Sequence, residues 1–165
     1  MKRKSTFMLL MAIVAIVLAA CAPATAPAVS NSTSSTTSIF TGAKLNLNTV
    51  TGDELLATIP GFGNRMVREF QEYRPYLSIQ QFRKEIGKYV DDAQVAEYEK
   101  YVYVPIAIND SDSATLQQIP GLDAAEAETL ISGRPYTSTD AFITQLSTLV
   151  STEELEIAKS YLGAN

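Results

Sequence analysis

From about residue 50 to the C-terminus, apolar residues recur at the three- and four-residue spacing of short amphipathic helices. Leu55, Leu56 and Ile59 form the first run, and Met66, Val67, Phe70 and Tyr73 the second. Ile79, Phe82 and Ile86 make a third, and Val95, Tyr98 and Val102 a fourth. Boundary signals agree with these runs. Thr51 with Glu54, Ser78 with Gln81 and Asp91 with Gln94 stand where side chains satisfy the free amides of a helix start. Arg74-Pro75 closes the second run, because a residue before proline is driven out of the α region.

The pattern is then repeated. Ile59-Pro60-Gly61 recurs as Ile119-Pro120-Gly121, and Arg74-Pro75-Tyr76 as Arg134-Pro135-Tyr136. Ser78, Phe82, Val90 and Tyr101 recur as Ser138, Phe142, Val150 and Tyr161, an offset of 60 without a gap. Upstream, Leu47-Asn48 faces Ile108-Asn109 at an offset of 61. Register held that long implies tandem duplication. The predicted fold is all-α, with two tandem domains of about four short helices each, over 42–104 and 105–165. Ser151 and Glu154 cap the last helix, which carries Leu155, Ala158 and Leu162. Leu45-Asn46-Leu47 and the apolar stretch from Tyr101 to Ile108 are candidates for short extended segments, although an isolated two-strand pair is marginal. The short apolar linker predicts that the halves pack rigidly together.

The stretch Ile59-Pro60-Gly61-Phe62-Gly63 separates the first two runs, and Ile119-Pro120-Gly121-Leu122-Asp123 stands in the same place in the second copy. Glycine permits positive φ, so the chain reverses within a few residues. The next helix starts at once with its N–H groups unsatisfied. On these residues the chain resembles the helix-hairpin-helix family, especially ComEA-type competence DNA receptors. It is also similar to the PsbU-type extrinsic subunit of photosystem II, which uses the fold to bind proteins. The resemblance therefore implies either of two partners. In the DNA-binding members, hairpin amides hold a phosphate oxygen where the helix dipole favours an anion. That role falls on Gly61, Phe62, Gly63, Asn64, Arg65 and Arg68, which would contact duplex backbone and not bases. For a protein partner the candidate surface is Arg74, Tyr76, Tyr101, Arg134, Tyr136 and Tyr161, since Tyr and Arg are enriched at interface hot spots. Packing of Tyr76 on Phe82 and of Tyr136 on Phe142 is the competing reading there.

The second copy is chemically different. Asp123 replaces the second glycine, and Glu126 follows three residues later, a capping box that occupies donors a phosphate would need. Glu128 adds charge one turn on, well within a Debye length of about 8 Å. The second turn is therefore not expected to hold DNA. Lys44 to Val104 contains 8 basic and 9 acidic residues, whereas Pro105 to Asn165 contains 2 basic and 9 acidic, a net charge of −7. Affinity for DNA scales with the phosphates neutralised, so the acidic half tilts the balance toward a protein partner and leaves weak DNA binding as the alternative.

Composition excludes other chemistry. The chain has no His, no Trp and one cysteine, Cys21. An internal disulfide, a Cys/His metal site and imidazole catalysis are thereby ruled out. The carboxylates fall on helix starts and solvated faces, and no phosphate loop, dinucleotide fingerprint or nucleophile elbow is present. A non-catalytic module without cofactor, metal or small-molecule substrate is expected. At the N-terminus, Lys2-Arg3-Lys4 precedes the apolar run from Phe7 to Leu18. That run is shorter than the roughly 20 residues of a membrane-spanning helix and reads as a signal peptide over 1–20. Leu18-Ala19-Ala20-Cys21 matches a bacterial lipobox, which makes Cys21 the lipidation site. Residues 21–41 are rich in Ala, Pro, Ser and Thr and predict a disordered tether with a reach of roughly 25 Å. The expected location is the bacterial envelope, extracytoplasmic and anchored to membrane by lipid.

Overall fold

The computed structural model describes residues 43–163. The predicted signal peptide, Cys21 and the tether lie outside them. Eight helices and two short strands are formed among the described residues, in the order β1 (Leu45–Asn46), α1 (Gly52–Thr58), α2 (Asn64–Glu72), α3 (Ile79–Ile86), α4 (Asp92–Tyr98), β2 (Val102–Tyr103), α5 (Ser113–Leu116), α6 (Ala124–Ser132), α7 (Thr139–Leu146) and α8 (Thr152–Tyr161). The chain is thus mostly helical, as the periodicity predicts. The anticipated caps are made: Ser78 accepts from the amide of Gln81, Asp91 from that of Gln94, and Thr51 and Ser151 form reciprocal boxes with Glu54 and Glu154. One boundary differs from expectation. Val102 belongs to β2 and not to the fourth helix, which stops at Tyr98.

That shift matters because β2 pairs with β1. The strands are parallel, with Leu45 opposite Val102 and Asn46 opposite Tyr103. Leu45 donates its amide to Tyr101 O at 2.8 Å. The second half repeats the bond: Ile106 donates to Tyr161 O at 2.8 Å, and Ile106 bridges Leu162 in parallel. The stretch from Tyr101 to Ile106 therefore closes one half and opens the other. So short a pair is weak by itself. Burial supports it, since Val102, Val104 and Ile106 are each no more than 1% exposed.

Two hydrophobic clusters lie on either side of this shared stretch, Val104 in the first and Tyr103 in the second. The first is aromatic: Phe70 meets Phe62, Phe82 and Tyr98 edge-on at centroid distances of 4.8, 5.2 and 5.4 Å. In the second, Leu122, Leu130 and Ala158 occupy the places of Phe62, Phe70 and Tyr98. Both clusters belong to one compact unit. The halves are also joined by a bond from the buried amide of Ile79 at the start of α3 to Thr115 Oγ1 on α5, 3.0 Å long.

A polar strut recurs in each half. The Asn48 amide donates to Tyr76 O at 2.9 Å and accepts from Tyr76 N at 2.7 Å. Asn109 does the same to Tyr136 at 3.0 and 2.8 Å. Beside it, Arg74 donates to Val50 O and Arg134 to Ser111 O, both at 2.6 Å. One difference between the halves has a local cause. The Tyr136 hydroxyl donates to Leu130 O at 2.8 Å, whereas the buried Tyr76 hydroxyl has no partner among the described residues. Gly133 makes the room, because a Cβ there would stand 2.6 Å from the Tyr136 hydroxyl; the first half has Tyr73 at that place. Tyr136→Phe should lower unfolding free energy by about 0.5–1.5 kcal/mol, while Tyr76→Phe should leave it level or higher, because an unsatisfied buried hydroxyl is lost. Urea titration of the two variants checks the contrast, and equal losses would contradict it.

Candidate functional site

The first glycine turn is built from its buried ends. Ile59 and Phe62 are 2% and 8% exposed and pin the loop to the core, with Phe62 donating its amide to Ile59 O at 3.1 Å. Gly61 between them has φ 70°, the left-handed region that disfavours side chains. Gly63 is different. It caps α2 with an ordinary extended backbone, φ −117°, and no side chain accepts from the first turn. The amides of Gly63, Asn64, Arg65 and Met66 find no acceptor among the described residues, while Val67 N is the first to bond, to Gly63 O at 3.1 Å. Gly61, Gly63, Asn64, Arg65 and Arg68 are exposed. Of the six residues expected to form this site, five share the surface and Phe62 serves the core beneath.

The structure adds residues that the sequence pattern did not single out. The Arg65 guanidinium lies over the ring of Tyr89, 5.6 Å from its centre, and Lys88 lies over Tyr73 at 4.9 Å. The hydroxyls of Tyr73 and Tyr89 are 2.7 Å apart. The turn between α3 and α4 thus extends the basic face of α2 with Lys88, which also pairs with Glu85. Two tyrosines orient the cations, a contact worth about 0.5–1 kcal/mol at an exposed site. Lys88 and Tyr89 fall in the short stretch between the third and fourth apolar runs.

The second turn keeps the backbone and changes the chemistry. Gly121 has φ 78°. Asp123 caps α6 by accepting from Glu126 N at 2.9 Å, and the Glu126 carboxylate accepts from Asp123 N at 2.8 Å. The reciprocal box predicted from sequence is therefore present. A third carboxylate joins it: a Cβ on Gly121 would stand 2.5 Å from Glu154, so that carboxyl sits against the turn. Its hydrogen bonds from Ser151 hold it below the usual carboxylate range, and it stays ionised. Gln94 occupies the same place in the first half, so the aligned repeat did carry the signal.

Of the six residues expected at a protein interface, Tyr76, Tyr101 and Tyr161 are buried in the core, which corrects that expectation for them, while Arg74, Arg134 and Tyr136 are half-buried. Tyr76, Tyr101 and Tyr161 are 1%, 4% and 3% exposed. Tyr76 and Tyr136 pack edge-on against Phe82 and Phe142 at 5.6 and 5.2 Å. Arg134 donates Nε and Nη2 to the carbonyls of Ile108 and Ser111, whereas Arg74 donates Nη2 to Val50 O and its buried Nε has no partner among the described residues. Their recurrence reflects the needs of the fold. Among the described residues no group of three or more acidic or thiol side chains converges on a metal position, and no helix is long and apolar enough to cross a membrane. Comparisons with protein-family models, curated proteins and solved structures returned no match.

Gly61 and Gly63 should respond differently to substitution. Open space surrounds both, so conformation alone decides. Gly61→Ala forces a side chain into the left-handed region and should cost about 1–2 kcal/mol. Gly63→Asp should raise stability by a few tenths of a kcal/mol, the usual advantage of Asp over Gly at a helix start. Thermal unfolding of the two proteins measures this, and a stable Gly61→Ala variant would contradict the assigned backbone.

Proposed function

We propose that this protein is a non-catalytic, tandem helix-hairpin-helix binding module, anchored to a bacterial envelope membrane through Cys21. Its first turn binds the phosphate backbone of duplex DNA. The observation that carries the reading is the uncapped start of α2, where four unpartnered amides stand beside exposed Arg65 and Arg68. Free amides and the positive end of a helix dipole together favour an anion. Binding should be weak and indifferent to sequence, because one turn neutralises few phosphates and the second half is strongly acidic. Crowding on a lipid surface offsets this through avidity.

A second reading, capture of an envelope protein, draws on the acid groups around the second turn. Asp123, Glu126 and Glu154 crowd donors that a phosphate needs, so a duplicated DNA reader is a poor description of that half. An acidic turn of this kind suits a basic protein surface. Cross-linking in intact cells distinguishes it: recovery of one defined partner through the second half supports protein capture, and a scatter of neighbours counts against it.

The DNA reading is tested by gel shift of the full-length chain in detergent against mixed-sequence duplex at low salt. A shift should appear, fade steeply as salt rises, and disappear in Arg65→Glu. Gly63→Asp should also lose it while remaining at least as stable as the parent, because the new carboxylate fills the donors. No shift at low salt, or full binding by both variants, would remove DNA from consideration.

A further inference from the structure

A polar cleft of about 270 Å³ opens between α3 of the first half and α5 of the second. Lys44 reaches it from the start of β1, Arg83 from α3, Glu99 from the end of α4, and Gln117 and Gln118 from α5. Arg83 binds Glu99 through Nε and Nη2 at 2.6 and 2.8 Å, which fixes the guanidinium and leaves Nη1 uncommitted. Gln118 is held by its own bonds to Val104, accepting from its amide at 2.8 Å and donating to its carbonyl at 3.2 Å. Lys44 is the exception in this ordered wall. It is half-buried and has no hydrogen-bond or ion-pair partner among the described residues.

We propose that this cleft binds a small organic carboxylate, anchored on Lys44 with Arg83 and Gln117 as secondary donors. Charge supports the class of ligand. Two cations and one carboxylate, Glu99, line the cleft, and the carboxylate is held bidentately by Arg83 and not by Lys44. Asp112 acts on Arg83 as well, whereas Lys44 feels Glu99 only as a nearby charge and has no hydrogen-bond partner of its own among the described residues. Size supports a small ligand, since drug-sized molecules occupy pockets of roughly 300–1,000 Å³. Burial disfavours the Lys44 ammonium and lowers its pKa, with Glu99 opposing. A half-buried ammonium whose N–H groups find no acceptor among the described residues carries a desolvation cost that the charge of Glu99 offsets only in part.

The duplication supplies an independent argument. Framework residues recur in both halves: Asn48 and Asn109, Arg74 and Arg134, Tyr76 and Tyr136. The cleft residues do not. Pro105, Ile143 and Lys159 stand where Lys44, Arg83 and Glu99 are in the first half. The set belongs to the junction between the halves and not to the framework that recurs within each.

The test is an NMR titration of the full-length, detergent-solubilised chain with lactate, chloride being exchanged so that ionic strength stays constant. Saturable shifts at Ala114, Gln117 and Gln118 are expected. Lys44→Met should weaken them about tenfold or more, as loss of a charged hydrogen bond implies, and should leave the melting temperature level or higher. Lys44→Arg should retain binding. Should Lys44→Met fail to fold, Ala114→Leu, which fills the cleft and leaves every charge in place, should abolish the response. A linear, non-saturating response, or unaltered binding in the two disabling variants, would overturn the proposal.

Discussion

Two asparagine side chains hold the turns of this protein in position. Asn48 and Asn109 each read the amide and the carbonyl of a tyrosine beyond the second helix of its half. These bonds tie the chain before the first helix to the chain after the second, so the pair of helices is closed into a loop. Arg74 and Arg134 reinforce it from below through carbonyls that would otherwise be unsatisfied. With both ends tied, the glycine turn between the helices has little freedom. Its exposed amides are presented as a consequence of a closure made elsewhere.

The shared strand does for the whole unit what the strut does for each half. Tyr101 to Ile106 bonds backward to β1 and forward to the end of α8, so neither half has an independent edge there. Val102 and Val104 pack into the first cluster while Tyr103 and Ile106 pack into the second. Over Val102, Tyr103 and Val104 the side chains alternate between the two clusters, as successive residues of an extended segment do, and Ile106 follows beyond Pro105. A helix in the same place would have sent most of its apolar side chains to one half.

The framework recurs in both halves while the turns differ. The cap position of the sixth helix tolerates Asp123 because the equivalent glycine, Gly63, has ordinary φ and open space around it. Gly61 and Gly121, by contrast, are constrained by positive φ and are retained. Backbone geometry thus decided which glycine was free to change. The change that followed placed carboxylates where the first half keeps bare donors. The halves came to present opposite electrostatic faces on the same backbone.

Much of this was legible in the residues. Helix starts were readable because Thr51, Ser78, Asp91, Asp123 and Ser151 act on amides only a few residues away. The blocked second turn was readable for the same reason, since Asp123 and Glu126 interact within one turn of helix. Long-range placement was not. Arg74, Tyr76, Tyr101 and Tyr161 carry no local sign of whether they face a partner or the core, and the fold turned all four inward. Glu154 reaches Gly121, and Tyr89 reaches Arg65, only because packing brings separate helices together. By itself the sequence determined the helices, their caps and the turn backbones, all governed by contacts between near neighbours. Tertiary structure alone decided which repeated side chains are buried and which charges meet, because those outcomes depend on distances that no local pattern encodes.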